Sequence, residues 1–373
     1  MKVENLVSFI GADFYTGVPD SQLKPLCDYL MNEYGINGQN HIIAANEGNA
    51  TAIAAGYYLS TGKIPVVYMQ NSGEGNIINP LASLMHEKVY AIPCIFIIGW
   101  RGEPGIHDEP QHIYQGEITC KLLEDMGVDY FVIGKETQDI ELKSVMERFK
   151  EKLLRGQDVA FIVRKGALQY NCGVNYKNDF QLTREEIIQH IVAISGEDSI
   201  ISTTGKASRE LFEIRERNRQ KHDHDFLTVG SMGHASAIAL GVALHKPEKR
   251  IWCIDGDGAA LMHMGAMAIV GSLKPENLVH IVINNGSHET VGGMPTVAEE
   301  IDLCGIARAC GYEVVECIGK EERLNEILKN VQQRKKLSFI EIKAALGARS
   351  NLGRPKTSPR DNLTAFMENL KNE

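Results

Sequence analysis

IWCIDGDGAALMHMGAMAIVGSLKPENLVHIVINNGSHETVGG, residues 251–293, is the stretch that decides the fold. An apolar run at 251–254, the length of a buried strand, turns at Gly256-Asp257-Gly258. A helical stretch follows at 259–272, and a second apolar run at 278–284 ends on Asn284-Asn285. Strand, turn, helix and strand in this order make a right-handed crossover between parallel strands. The crossover carries Asp257 and Asn285 to the C-terminal ends of adjacent strands, the edge where open α/β sheets bind ligands. Mg2+ takes hard oxygen ligands in octahedral geometry, usually with phosphate oxygens among them. The Asp257 carboxylate, the Asn285 amide oxygen and the backbone carbonyl of Ser287 are such a set. Gly258 lets backbone approach a phosphate, and the helix after it points its N-terminus at the anion. A lone Gly-Asp-Gly turn is common. The Asn-Asn pair 26 residues after Gly258 makes the combination specific.

The same alternation runs outward in both directions. Toward the N-terminus, strands are expected at 41–45, 64–69, 93–98 and 158–163, with helices at 48–60 and 138–154 between them. In the second half of the chain, strands are expected at 198–203, 250–254, 278–284 and 338–343, with helices at 183–195, 206–217, 259–272, 297–310 and 320–334. Strands separated by helices of this length form parallel sheets covered on both faces. The polar segment 166–182 interrupts the rhythm, and Thr183 with Glu186 three residues on is a capping-box start for the next helix. The expected organisation is a first α/β domain at 1–165, a linker at 166–182 and a second domain at 183–373. The polar tail from 355 carries one short helical pattern and is expected to pack on a neighbour.

Composition narrows the function. A length of 373 residues suits about two domains. A net charge of −9 argues against nucleic acid, which needs clustered Lys and Arg. It leaves room for a small anion held by a local cationic cluster. The eight cysteines form no C-x-x-C pair, and most lie in apolar runs, where a thiol behaves as a small hydrophobe. That usage fits a reducing, cytoplasmic compartment. The start, MKVENLVSFIGADFYTG, has no long apolar core or cleavage site, and no run reaches 18 apolar residues, so neither secretion nor a membrane span is expected.

The 251–293 segment resembles the signature of the thiamine diphosphate decarboxylase family, which includes pyruvate decarboxylases and acetolactate synthases. That resemblance implies an α/β fold of two doubly wound parallel-sheet domains, with thiamine diphosphate and Mg2+ as cofactors. It implies that Asp257, Asn285 and the Ser287 carbonyl hold the metal, and that Gly256, Gly258, Ala259 and Asn285 lie against the cofactor. A second segment, HIIAANEGNATAIAAGYY at 41–58, matches the family's E-x-x-A-x-x-x-A-x-G pattern from Glu47 to Gly56. Glu47 is then the catalytic carboxylate that faces the cofactor's aminopyrimidine, where burial raises its pKa toward neutrality. A third, GSMGHASAIALG at 230–241, resembles the family's G-x-[hydrophobic]-G turn. It implies that Met232 supports the cofactor and that the Gly230 carbonyl bonds its amino group. Thr203, Thr204 and Gly205, at a strand end before a helix, suit the diphosphate. The loop at 71–76 resembles the family's S-G-x-G-x-x-N loop; its glycines are equally at home as plain turn residues.

The chain is too short for the central third domain of the larger members. It looks like the minimal members, the phosphonopyruvate and sulfopyruvate decarboxylases, through YTGVPDSQLK (15–24), RGEPGIHDEPQH (101–112) and TTGKASRELFE (203–213). The implied reaction is decarboxylation of 3-phosphonopyruvate to phosphonoacetaldehyde. The second anion of that substrate needs cationic or polar partners. The candidates are Ser21, Lys24, Arg101, His107, His112, Lys206 and Arg209, with the arginines able to grip a phosphonate in two places. The resemblance also implies at least a homodimer, with Glu47 of one copy and Asp257 of another completing a centre. Sulfopyruvate as substrate, an acetolactate synthase-like carboligase and a non-catalytic subunit stay open as alternatives. A nucleotide-binding dehydrogenase is disfavoured, because the turn lacks G-x-G-x-x-G.

Overall fold

The computed structural model describes residues 1–371. It separates into two compact units, Met1–Asn175 with Val291–Met294, and Tyr176–Thr290 with Pro295–Glu373. The last two residues of the expected second domain lie outside the described residues.

The first unit runs α1 (Val3–Ile10), β1 (Tyr15–Gly17), α2 (Lys24–Glu33), β2 (His41–Ile43), α3 (Glu47–Thr61), β3 (Val66–Gln70), α4 (Glu74–Pro80), β4 (Ile95–Gly99), α5 (Pro110–Asp125), β5 (Asp129–Ile133), α6 (Asp139–Leu153) and β6 (Val159–Val163). Its six strands are all parallel, in the order β2-β1-β3-β4-β6-β5. The central strands β4 and β6 are buried at every residue, as a sheet covered on both faces requires.

The second unit runs α7 (Arg184–Ser195), β7 (Ser199–Ser202), α8 (Lys206–Arg217), β8 (Asp225–Leu227), α9 (Ala235–His245), β9 (Ile251–Gly256), α10 (Asp257–Met262), α11 (Gly265–Leu273), β10 (Leu278–Asn284), α12 (Leu303–Cys310), β11 (Val314–Ile318), α13 (Leu324–Gln333), β12 (Ser338–Lys343) and α14 (Pro359–Lys371). Its sheet is also all parallel, in the order β11-β12-β10-β9-β7-β8. Counted from each unit's own first strand, both sheets are wired 2-1-3-4-6-5. The strand order reverses between the first and third strands of each, and that reversal opens the crevice where such sheets bind ligands. Along β9, Trp252 and Ile254 pack into one core and Ile251 and Cys253 into another, so strand alternation feeds two cores on opposite faces.

The long buried strands and most of the longer helices stand where the sequence places them, within a residue or two, while the helix expected at 320–334 opens as a 3-10 turn at Glu321–Arg323 and is α-helical only over Leu324–Gln333. Four strands and several helices do not announce themselves. Strands β1 and β8 are three residues long, and the outermost strands β5 and β11 carry Asp129, Glu316 and other half-exposed positions. The helix expected at 259–272 is two: α10 starts on Asp257 itself, and the chain breaks at His263-Met264 before α11. The stretch 297–310 likewise splits into a 3-10 turn at Val297–Glu299 and α12. Thr183 caps α7 with both bonds of a capping box. Helix α14 packs on its own unit, where Phe366 meets Phe226 at 5.6 Å between ring centroids. Asn362 there accepts from Leu227 N at 3.0 Å and donates to the Asp225 carbonyl at 2.7 Å. The helix thus covers the edge strand β8, which would otherwise be open to pairing.

Candidate active site

In the first unit the site begins where β2 hands over to α3. Asn46 caps the helix by accepting from Asn49 N, which leaves Glu47 as the first helical residue. Glu47 is 4% exposed. Its Oε2 accepts a 2.6 Å hydrogen bond from the side-chain amide of Asn76. Burial pushes the carboxyl up, and the Asn76 bond pulls it partly back. A Cβ on Gly73 would stand 2.5 Å from Glu47 side-chain atoms, so only glycine leaves room there. The loop at 71–76, left open between turn and function by its sequence, is therefore the wall and the hydrogen-bond partner of Glu47. Glu74 in the same loop is also buried, and burial pushes it to about 8 against a hydrogen bond from Gln115.

A cavity of about 510 Å3 in the same unit is lined by Ser21, Lys24, Arg101, His107 and Lys165 among others. Four of the residues expected at the second anion, Ser21, Lys24, Arg101 and His107, thus share one space. Arg101 is already gripped by Asp108, with Nε 2.7 Å from Oδ2, and Lys24 pairs with Asp28 at 2.6 Å. Lys165 has no ion-pair partner among the described residues. It lies at the edge of the expected linker, where nothing in the sequence separates it from a solvated charge. His112 is held down to about 4, by burial and then by Arg101, so it offers a hydrogen bond but no charge at neutral pH. Asp20 was not singled out by sequence. It is fully buried at the β1 end, accepts from Gln70 at 2.6 Å, and is pushed up by burial.

In the second unit β9 and β10 are hydrogen-bonded neighbours, with Gly256 opposite Ile283. Asp257 and Asn285 therefore leave adjacent strand ends, as the spacing predicts. Asp257 is 3% exposed and is pushed up to about 6 by burial. Thr296 donates to its Oδ2 at 2.5 Å. Asn285 donates from its amide nitrogen to Glu289 at 2.9 Å, and its Oδ1 accepts from Ser287 N at 3.1 Å. Glu289 is in turn bound by Arg184 at 2.9 Å and Lys206 at 2.5 Å. The Met232 side chain lies against the turn, its Cε 3.5 Å from where a Gly258 Cβ would stand. Ser231 and Gly233 both take positive φ, which bends the 230–234 turn back toward Ala259.

Two further expected anion-binding residues, Lys206 and Arg209, are engaged by the protein and are not among the residues that line that cavity. Lys206 is committed to Glu289. Arg209 donates to the backbone carbonyls of Gly353 (2.6 Å) and Leu352, and so ties down the C-terminal segment.

The residues fit the implied cofactors. The donor set is a carboxylate, an amide and a backbone carbonyl, all hard oxygens. Ser287 Oγ is buried with no hydrogen-bond partner among the described residues. A Cβ on Gly256 would meet nothing within 4 Å, so the turn opens on free space. Helix α8 begins after Gly205 (φ +83) with no side-chain cap, leaving its first N–H groups available to an anion.

Comparison with known proteins identifies both α/β domains. Residues 3–124 match the model described as thiamine pyrophosphate enzyme, N-terminal TPP binding domain, and residues 203–342 match the C-terminal TPP binding domain of the same enzymes. The chain is 34% identical over 375 residues to the phosphonopyruvate decarboxylase of Streptomyces viridochromogenes, covering 96% of this chain and 91% of that one. It is 33% identical over 377 residues to the phosphonopyruvate decarboxylase of Streptomyces hygroscopicus, covering 96% and 90%. To the sulfopyruvate decarboxylase of Methanosarcina acetivorans it is 27% identical over 394 residues, covering 99% and 97%.

Proposed function

We propose, from the premise that this chain belongs to the thiamine pyrophosphate enzyme family and is one of its two-domain 2-oxo acid decarboxylases, that it converts 3-phosphonopyruvate to phosphonoacetaldehyde and CO2. The observation that carries the substrate is the identity of 33–34% over nearly the whole chain to two phosphonopyruvate decarboxylases, against 27% to a sulfopyruvate decarboxylase.

In this reading Asp257, Asn285 and the Ser287 carbonyl hold Mg2+, and the N-terminus of α8 with Thr204 and Gly205 receives the diphosphate. Gly258 and Ala259 give the diphosphate its close backbone approach, while Met232 and the Gly230 carbonyl contact the rest of the cofactor. When bound, thiamine diphosphate supplies an electron sink for the bond to the departing carboxylate. The protein's part is orientation and proton handling. Glu47 presents its buried carboxyl for proton exchange, its proton affinity raised by desolvation and tempered by the hydrogen bond from Asn76. Lys165 provides the unpaired positive charge for the phosphonate, with Lys24 and Arg101, held by Asp28 and Asp108, and Ser21 as hydrogen-bond donors beside it. A phosphonate carries more charge at neutral pH than a sulfonate and gains more from that charge. The chain acts in the cytoplasm as at least a dimer, Glu47 of one copy serving the metal centre of another.

Steady-state kinetics with phosphonopyruvate, sulfopyruvate and pyruvate side by side test the substrate. The proposal expects the highest kcat/KM for phosphonopyruvate, and a higher value for sulfopyruvate would contradict it. Light scattering at assay concentration tests the assembly, where an active monomer is the contrary result.

A further inference from the structure

Two thiols stand apart from the other cysteines. Cys304 lies in the first turn of α12 and is buried, while Cys317, on the outermost strand β11, is exposed. Cys317 sits directly opposite Glu341 of β12. The two sulfurs and a Glu341 oxygen all lie within 4.8 Å of one another. Cys304 Sγ is 3.6 Å from Glu341 Oε2. The other carboxylate oxygen accepts from the side-chain amide of Asn284 at 2.7 Å and pairs with Lys343 at 2.6 Å. Asn284 Oδ1 then accepts from Gly286 N at 2.9 Å, inside the turn that carries Asn285 and Ser287. A continuous line of contacts therefore joins the thiol pair to that turn.

We infer that Cys304 and Cys317 form a redox-active dithiol that closes to an intradomain disulfide by exchange with a low-molecular-weight disulfide, and that closure loosens the 284–287 turn. The roles divide by exposure. Cys317 is the accessible nucleophile, and its thiol is held down to about 7, chiefly by the hydrogen bond from Cys304, with Lys343 assisting against burial and Glu341. Its thiolate attacks one sulfur of the small disulfide, forming a mixed disulfide and releasing one small thiolate. Cys304 then attacks the Cys317 sulfur, giving up its proton to Glu341, and the second small thiolate leaves. The two cysteines lose two electrons in all, and the small disulfide gains them as two thiols. The contrast with Cys94 and Cys253 is one of environment, since burial in the sheets pushes both thiols well up.

Closure draws the Cys304 sulfur off its 3.6 Å contact with Glu341 Oε2, and Glu341 is the nearer of the two acceptors that hold the Asn284 amide, the other being the Ala298 carbonyl. The expected consequence, which rests on the cofactor reading above, is weaker Mg2+-dependent binding of thiamine diphosphate by about three- to ten-fold, the scale of one buried hydrogen bond.

The test uses the full chain equilibrated with glutathione disulfide, then alkylated and mapped by mass spectrometry. A Cys304–Cys317 linked peptide is expected, absent in Cys317→Ser and in Cys304→Ala. Lone exposed Cys172 should give only the mixed disulfide. If Cys304→Ala does not fold, the exposed Cys317→Ser variant carries the comparison. Cys317 ending as a glutathione mixed disulfide without the link would overturn the dithiol. Calorimetric titration of thiamine diphosphate with Mg2+ then reads the coupling. Equal affinity of linked and reduced protein would overturn the coupling alone, and failure of the reduced protein to bind would overturn the cofactor reading instead.

Discussion

The side-chain amide of Asn76 donates to Oε2 of Glu47 across 2.6 Å, at a carboxylate that burial pushes up. Gly73, three residues before Asn76, leaves the space that Glu47 fills. One loop thus sets both the position and the acidity of the proposed catalytic group.

Replacing Asn76 by Ala removes the bond that holds the Glu47 carboxyl down. Its titration moves to higher pH, so the pH profile of kcat shifts in the alkaline direction, with kcat reduced about ten-fold or more. Affinity for Mg2+ in the second domain should not change. Kinetics from pH 5 to 9 on both proteins check this. An unshifted profile would mean that Asn76 does not tune Glu47.

Thr296 donates to Asp257 Oδ2 at 2.5 Å. In Thr296→Val that oxygen loses its partner and the carboxylate its fixed orientation. Mg2+ affinity by calorimetry in the presence of thiamine diphosphate should fall about five-fold, while Asp257→Ala should abolish Mg2+-dependent binding. Retention of binding by Asp257→Ala would remove it from the metal site.

Glu74 makes stability depend on pH. Burial raises its folded pKa from the ordinary 4.5 to about 8. Between those values the folded state holds a proton that the unfolded state releases. The stabilisation is complete below the unfolded value and is lost as pH rises through the folded one, at about 1.4 kcal/mol per pH unit. Glu74→Gln keeps the shape without the charge and should flatten that decline. Denaturant melts at pH 5 and pH 8 read it directly, and parallel slopes for both proteins would contradict the assignment.

Lys165 and Arg209 separate substrate binding from structure. Lys165→Ala should raise KM for phosphonopyruvate about ten-fold and leave the melting temperature unchanged. Arg209→Ala should do the reverse, because its guanidinium holds the carbonyls of residues 352 and 353. An Arg209→Ala variant of normal stability and raised KM would return Arg209 to the substrate.

Much of this was legible in the chain because it rests on strands buried on both faces and on short motifs at their ends. Asp257 and Asn285 follow apolar runs whose length and flanks leave little freedom, and they leave adjacent strand ends in the structure, while Glu47 opens α3 a few residues after the short edge strand β2. What escaped depends on contacts between distant segments. Nothing local distinguishes Asn76 from another loop amide, yet it meets Glu47 29 residues away. The commitment of Arg209 spans 144 residues to Gly353. Three-residue strands such as β1 and β8 have too few positions to show a period. Their pairing is supplied by neighbours, and with it the common wiring of the two sheets.

The most direct test of the central claim is CO2 release from phosphonopyruvate by the purified chain, with thiamine diphosphate and Mg2+ supplied or omitted, in the native protein and in Glu47→Gln. The account predicts rapid release that requires both cofactors, yields phosphonoacetaldehyde, and falls by at least about a hundred-fold in Glu47→Gln. Release that persists without thiamine diphosphate, or that Glu47→Gln leaves intact, would contradict it.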